Sequence, residues 1–335
     1  MEISVVIPCY KSSQTIGFVV NEIRSVLGRL KKNDYEIILV NDCSPDEGRT
    51  ISAIRTLCTE DHRILGIDLA FNSGQSAATM AGLSHASGEY IVVGDDDGQT
   101  PFDALEQMFE KLQTENYDAI CADYTDRGER SAFRRFGSMV AIRTFRYTME
   151  IPNDLKFSAF FLARKFVIQE MLRYHNPYPY VIGLLVQATH NIGSIQLEQG
   201  ERVSGKSGYT IKKLLSLWLN GFTAFSVKPL RISASVGILC AILGFLSGAV
   251  TVIRKLVYPD VLAGYTTTLA VLLFIGGIIM MSMGLIGEYV GRIYLSINNK
   301  PQYVIREVVC VDSFSAVKME NNSHENLTSA VINET

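Results

Sequence analysis

Tyr90-Ile91-Val92-Val93-Gly94-Asp95-Asp96-Asp97-Gly98-Gln99-Thr100-Pro101 reads as a short buried strand ending in three carboxylates, then a loop, then a proline in the first turn of a helix. Three adjacent aspartates repel one another unless a cation sits among them, and no apolar core requires them. The pattern predicts a divalent metal at the carboxyl end of a strand in an open α/β sheet, the edge where such sheets bind ligands. A metal so placed neutralises an anion. A solvated acidic turn without a ligand is one rival. A calcium loop is another, with Asp95, Asp97, Gln99 and Glu106 at its first, third, fifth and twelfth positions. It fails at the sixth position, where Thr100 stands in place of glycine, and because a strand leads in where a helix is needed.

Working outward, residues 4–7, 36–40, 64–68, 90–93 and 118–121 are short β-rich runs. Helical patterns at 16–30, 49–58, 75–86 and 102–112 separate them. Strands alternating with helices at this spacing predict a mostly parallel, doubly wound sheet with helices on both faces. The first strand then ends at Pro8-Cys9-Tyr10 and the second at Asn41-Asp42-Cys43-Ser44-Pro45-Asp46. Both tips share an edge with the aspartates, so Tyr10, Asp42 and Asp95 to Asp97 should line one crevice. An aspartate there can accept the ring N–H of a pyrimidine or guanine while an aromatic ring packs on the base. Taken singly, Asp42 is more often an Asx-turn or a helix N-cap; taken with the other strand tips, base recognition is the favoured reading.

The chain has 335 residues, 47% of them hydrophobic, and a mean hydropathy of +0.16. That is enough for one large domain and a further apolar part. Residues 232–253 and 261–287 carry no charges. At ~1.5 Å per residue each is long enough to cross a ~30 Å hydrocarbon layer as a helix. Both runs are rich in glycine and apolar all round, unlike a half-buried helix of a soluble core. The N-terminus lacks the basic start and long apolar run of a secretory leader, so the expectation is a cytosolic N-terminal domain. Lys212, Lys213, Lys228 and Arg231 before the first span, and Arg292 and Lys300 after the second, favour cytosolic flanks, whereas Arg254 and Lys255 in the connection oppose them. A net charge of −3 and a pI near 6.0 leave no basic footprint for nucleic acid. Six scattered cysteines (Cys9, Cys43, Cys58, Cys121, Cys240, Cys310) include no C-x-x-C pair, which argues against zinc and against a disulfide framework.

From Arg127 the pattern changes. Phe133, Phe136, Val140 and Phe145 lie among Arg127, Arg130, Arg134, Arg135, Arg143 and Arg146. Such a basic amphipathic helix lies either on an anionic membrane surface or as an ordinary solvated face. Residues 211–230 carry Trp218 and several leucines between lysines and lead straight into the first span, which places them at the membrane interface. Residues 302–309 resemble a strand that could pair with the domain or with another subunit. Residues 313–335 are polar and aperiodic, the composition of a disordered tail.

Pro8-x-Tyr10, Asn41-Asp42-x-Ser44-x-Asp46, Asn72-x-Gly74, Asp95-x-Asp97-x-Gln99 and Arg202-x-x-Gly205-x-Ser207-x-Tyr209, followed by a two-span hairpin, resemble the polyisoprenyl-phosphate glycosyltransferases of glycosyltransferase family 2. The resemblance covers about residues 1–309, and its specificity lies in the order and spacing of the motifs. It implies a GT-A type, Rossmann-like, mostly parallel sheet with amphipathic interface helices and a transmembrane hairpin. By resemblance, Asp95, Asp97 and Gln99 hold Mg2+ or Mn2+ on the donor diphosphate, with Asp97 and Arg202 serving the chemistry. Pro8, Tyr10, Asp42 and Asp95 contact the nucleotide, while Arg127, Arg134, Ser138 and Ser207 receive the acceptor phosphate. The resemblance also implies a homotetramer in a bacterial inner membrane, with the active site and both termini cytosolic. The layout expected is a nucleotide-sugar-binding core at 1–126, an acceptor region at 127–210 and a juxtamembrane helix at 211–231. Transmembrane helices at 232–253 and 266–287, a cytosolic strand segment at 288–310 and a tail at 311–335 complete it.

Three departures from the family pattern matter. Lys11-Ser12 follow Tyr10 where the family has Asn-Glu, and Asn41 replaces the first of two aspartates. Phe157-Ser158-Ala159-Phe160-Phe161-Leu162 carries no carboxylate where many relatives have Asp-Phe-Arg-Leu, so no catalytic base is expected there. None is needed if the nucleophile is a phosphate monoester, whose second pKa near ~6 leaves it largely dianionic at neutral pH. The implied reaction is inverting transfer of one sugar from a nucleotide sugar to a polyprenyl phosphate; Asp42 suits uracil and can also suit guanine, and the family likeness implies a UDP-linked donor. Rivals are a processive polysaccharide synthase, whose Q-x-x-R-W signature Gln199-Gly-Glu-Arg202-Val203 meets only in part, and a non-catalytic membrane scaffold.

Overall fold

β1 (Ile3–Cys9) and β2 (Tyr35–Asn41) are buried along their whole length, as strands are when helices cover both faces of a parallel sheet. The structure, a computed structural model, describes residues 1–124, 158–198, 228–257, 264–298 and 300–309. Two compact units divide the chain. One comprises Met1–Ala132, Pro152–Gly208 and Lys300–Thr335, the other Phe133–Ile151 and Tyr209–Asn299.

In the first unit, β3 (Ile64–Leu69), β4 (Tyr90–Val93), β5 (Ala119–Tyr124), β6 (Phe161–Arg164), β7 (Ile192–Leu197) and β8 (Ile305–Val309) join β1 and β2. They form one sheet of eight strands, ordered β7-β5-β6-β4-β1-β2-β3-β8. β1 pairs in parallel with β2 and β4, β2 with β3, and β5 with β7. β6 is antiparallel to β4 and β5, and β8 is antiparallel to β3. The strand order reverses at β1, between β4 and β2, which is the switch point of a doubly wound sheet.

The helices are α1 (Ile16–Arg29), α2 (Arg49–Glu60), α3 (Gln75–Leu83), α4 (Leu105–Thr114), α5 (Lys165–Leu172) and α6 (Val181–Ala188). α1 shows how local sequence becomes packing: Ile16, Val19, Val20, Ile23, Val26 and Leu27 recur on one face, and all six are buried. Each such burial is worth ~1.5–3 kcal/mol against exposure. α3 packs against β1 and β2 because Gly82 has no Cβ; one there would overlap the Val6 side chain and come within 3.0 Å of Val40 Cγ2. Pro101 does not open a helix directly. A 3-10 turn over Phe102–Ala104 precedes α4, and the buried Phe102 ring lies edge-on to Phe160 with centroids 5.6 Å apart.

β5 runs three residues beyond its expected end, to Tyr124, and β6 and β7 were not expected at all. β6 has only four residues and passes without a turn into α5, so nothing local marks it as a strand. Of the two pairings open for residues 302–309, the structure shows the one within the domain, on β3.

The second unit contains α7 (Lys228–Val257) and α8 (Tyr265–Ile297). Both are longer than the expected spans, and residues 228–231 form the first turn of α7. The windows Ser233–Val250 and Phe274–Gly291 have mean hydropathies of 2.0 and 1.5 and are long and apolar enough to cross a membrane. Phe245, Phe274 and Met280 lie exposed on them, and the Ser233 and Ser282 hydroxyls join the two helices at 2.9 Å. The expected basic helix from Arg127 to Arg146, the interface segment at 211–227 and the tail at 311–335 lie outside the described residues.

Asp61, at the end of α2, is the electrostatic anchor beneath the sheet. Its carboxylate accepts Arg63 Nε at 3.0 Å and Nη2 at 2.9 Å and pairs with Arg24 Nη2 at 3.0 Å. The Arg63 hydrogen bonds, and then Arg24, hold the carboxyl at about 2, below its ordinary 3.8. A depressed carboxyl stabilises the fold fully above its unfolded value and loses that contribution as pH falls through the folded one. Asp61→Asn should therefore cost about 2 kcal/mol at neutral pH. Thermal unfolding midpoints of the two proteins in detergent should differ at pH 7, begin to approach each other below about pH 4 and meet only near pH 2.

Candidate active site

β1 to β4 point the same way, so their exits gather on one edge. Pro8 lies buried in β1, beyond the last β1–β4 pair, Val6–Val93. Its missing N–H therefore removes nothing from that ladder. Tyr10 follows, 48% exposed, with Lys11 Nζ 5.6 Å from its ring centroid. Lys11 takes a positive φ of 59°, which turns the chain at the strand exit.

The three aspartates do not converge on one point. Asp96 turns back across the switch point, where its Oδ2 accepts the Tyr10 N–H at 2.8 Å and ties the β4 exit to the β1 exit. Burial pushes its carboxyl up, the Tyr10 N–H opposes that shift, and the neighbouring Asp97 adds to it. Among the described residues no three His, Cys, Asp or Glu side chains gather into a metal-binding group. Asp96 thus ties the loop to the β1 exit, and Asp95 and Asp97 make other contacts.

Asp95 Oδ1 accepts Gln75 Nε2 at 2.7 Å, and its N–H donates to Thr100 Oγ1 at 3.0 Å. Asp97 Oδ1 accepts the Gln99 N–H at 3.1 Å, with Gly98 between them at φ 76°. That Asx-type turn brings Gln99 onto the same loop. Tyr124 is the last residue of β5. Burial, then Asp95, then Asp97 push its phenol up.

Asp42 is 3% exposed. Its Oδ1 accepts the Ser73 N–H at 2.7 Å and its Oδ2 the Gly74 N–H at 2.9 Å, while its carbonyl accepts Asn72 Nδ2 at 3.1 Å. Burial pushes the carboxyl up and the two N–H groups counter it. The Asn72-x-Gly74 motif is thereby explained as the loop that Asp42 holds, a task the sequence reading did not assign to it. Each carboxylate oxygen retains a second acceptor position.

The structure brings Pro8, Tyr10, Asp42, Asp95, Asp97 and Gln99 to one edge. Arg127, Arg134, Ser138, Arg202 and Ser207 lie outside the described residues. Phe160 and Phe161, in the segment 157–162 that carries no carboxylate, are fully buried, and Phe161 pairs with both β4 and β5. Sequence reasoning missed Gln75 and Tyr124. Gln75 directly follows the Asn72-x-Gly74 motif, and extending the fifth strand would have carried Tyr124 to the edge.

Two carboxylates on a strand exit suit a hard divalent cation such as Mg2+ or Mn2+, which takes one or two protein carboxylates and completes its shell with water and substrate phosphate. The same edge offers an exposed aromatic face at Tyr10 and a buried acceptor at Asp42. Together these can hold a nucleoside diphosphate.

Residues 4–172 match the model of glycosyl transferase family 2, and residues 228–293 match that of the GtrB C-terminal hairpin. The SfII prophage-derived bactoprenol glucosyl transferase of Shigella flexneri is 30% identical over 314 residues, covering 92% of this chain and 98% of that one. The undecaprenyl-phosphate 4-deoxy-4-formamido-L-arabinose transferase of Yersinia enterocolitica is 31% identical over 325 residues, 96% of each chain. Among solved structures, glucosyl-3-phosphoglycerate synthase from Mycobacterium tuberculosis, in complex with Mn2+, UDP and phosphoglyceric acid, is similar at 18% identity with a TM-score of 0.49, over 66% of this chain and 76% of that one. The family match includes the sheet edge from Tyr10 to Gln99, and the two sequence relatives are similar along nearly their whole length: this chain belongs to glycosyl transferase family 2.

Proposed function

We propose that this glycosyltransferase moves a single sugar from a UDP-sugar to the phosphate of a polyprenyl lipid, undecaprenyl or dolichyl phosphate, at the cytosolic face of a membrane. The observation that carries the proposal is one chain in which the edge of Tyr10, Asp42, Asp95 and Asp97 is followed by two helices long and apolar enough to cross a membrane. The names of the two relatives, one acting on bactoprenol and one on undecaprenyl phosphate, support the same acceptor class.

The donor lies along the edge with its base between Tyr10 and Asp42 and its diphosphate toward Asp95 and Asp97. Asp95, Asp97 and Gln99 are the residues that would hold Mg2+ or Mn2+, which supplies charge neutralisation for the diphosphate leaving group. Arg202 adds cationic stabilisation on that side. Arg127, Arg134, Ser138 and Ser207 receive the acceptor phosphate, whose dianion attacks the anomeric carbon. The new bond joins phosphate oxygen to that carbon as the bond to the nucleoside diphosphate breaks. One displacement inverts the centre and needs no protein base, because the nucleophile is already deprotonated. By resemblance we place both termini in the cytosol and the chain in a homotetramer.

The direct test incubates the detergent-purified chain with Mg2+ or Mn2+, a panel of nucleotide sugars and undecaprenyl or dolichyl phosphate, and weighs the lipid product by mass spectrometry. One added sugar is the expected result. A polymer would instead support a processive synthase, and no product with any pair would overturn the proposal. Asp97→Asn should lower transfer by about 100-fold or more while leaving the circular-dichroism spectrum unchanged; near-normal transfer would remove Asp97 from the metal site. Arg134→Ala should raise KM for the lipid phosphate by about tenfold with KM for the nucleotide sugar nearly constant. Equal rises in both constants would take Arg134 out of the acceptor site.

A further inference from the structure

β8 lies beyond both the family 2 match, which ends at residue 172, and the hairpin match, which ends at 293. The chain leaves α8 at Ile297 and by Ile305 is a strand on the edge of the catalytic sheet, antiparallel to β3. Arg306 on that strand does more than pack. Its Nη1 donates to Asp68 Oδ2 at 3.0 Å, and its Nη2 donates to the Ala70 carbonyl at 2.9 Å. The Asp68 side chain is 5% exposed and Arg306 54%, so a buried carboxylate draws its cation from the protein surface.

Asp68 passes the constraint inward. Its other oxygen, Oδ1, accepts Asn41 Nδ2 at 2.6 Å. Asn41 Oδ1 in turn accepts the Ser44 hydroxyl at 2.7 Å and the Ser44 N–H at 3.3 Å. Ser44 Oγ accepts the Lys11 N–H at 3.0 Å, and the preceding residue, Tyr10, donates its N–H to Asp96. The bond to Ala70 fixes the start of the second loop, whose Ser73 and Gly74 N–H groups grip Asp42. Ala70 is also held by its own N–H, which donates to Val304 on the approach to β8 at 2.8 Å. Asp42 sits in the loop at residues 41–46, beside the loop at 70–74; Arg306 bonds to the second at Ala70 and reaches the first through Asp68 and Asn41 and, at 3.9 Å, through Cys43 Sγ.

We propose that Arg306 is a positioning residue for the donor nucleotide, holding the Asp42 side of the site in place from a strand that follows the membrane hairpin. It touches no reacting atom. The proposal rests on the assignment of this edge to a nucleotide sugar, and it places a determinant of donor affinity outside the segment that defines the family. It also distinguishes Arg306 from Glu307, which fastens the same strand to α2 through Arg55 at 2.5 Å but does not reach either loop.

The test measures UDP binding by calorimetry, in the presence of Mn2+, on the full-length detergent-purified protein. Arg306→Ala should weaken UDP about tenfold. In steady state it should raise KM for the nucleotide sugar by a similar factor, leaving kcat within about twofold and KM for the lipid phosphate unchanged. Arg306→Lys keeps the pair with Asp68 but gives up the second donor, and should recover about half of the loss on a logarithmic scale. Glu307→Ala, the control for strand docking, should bind UDP like the wild type. Equal affinity in Arg306→Ala and wild type would overturn the inference alone, as would an equal loss in Glu307→Ala. A wild-type chain that bound no UDP would overturn the nucleotide-sugar assignment and the inference with it. Thermal unfolding of each variant separates a lost contact from a lost fold.

Discussion

The constraint on which the rest of the structure depends is the common direction of β1, β2, β3 and β4. A parallel strand cannot hairpin back to its neighbour, so each returns through a helix and each exits on the same edge. Polar loops are therefore collected on one side of a sheet whose central strands are buried throughout. Reversal of the strand order at β1 opens a crevice between the β1 and β4 exits. The bond from Tyr10 to Asp96 crosses it and fixes the separation of its two walls.

Within that crevice the carboxylates divide their work according to which hydrogen-bond donors each meets. Asp42 and Asp96 are turned into the protein and accept backbone N–H groups. A buried carboxylate without such donors would be costly, and with them it acts as a rigid fastener for loops. Asp95 and Asp97 remain toward the site, where Gln75 and the turn at Gly98 orient them. Adjacent residues of one acidic run thus meet different partners.

The chain answers to two solvents. The first unit buries its apolar residues, whereas α7 and α8 leave large apolar side chains such as Ile238, Phe245 and Met280 exposed, a surface that water does not tolerate at that length. The sequence then returns from the second helix to the sheet, and its last described strand places Arg306 against the buried Asp68. The pairing of β8 with β3 and the hydrogen bonds of Arg306 make a residue beyond the hairpin part of the loop network beside Asp42.

The sequence by itself determined what depends on local pattern. Alternating strand and helix periodicities predicted the parallel core, two charge-free runs predicted the long apolar helices, and Asp95 to Asp97 stood out as an acidic cluster at a strand exit. These features are legible because burial and helix or strand periodicity are recorded in each segment independently of its neighbours. Tertiary structure alone decided the partners: Asp96 with an N–H 86 residues away, and Asp68 with a guanidinium 238 residues away. It also decided the insertion of antiparallel β6 beside β4, because four residues carry too little pattern to announce a strand. Asp42 belongs to both accounts, since its place on the edge followed from the strand before it, but its grip on Ser73 and Gly74 did not. A hydrogen bond is specific to the group it meets, and which groups meet is settled only when the sheet brings distant loops to one edge.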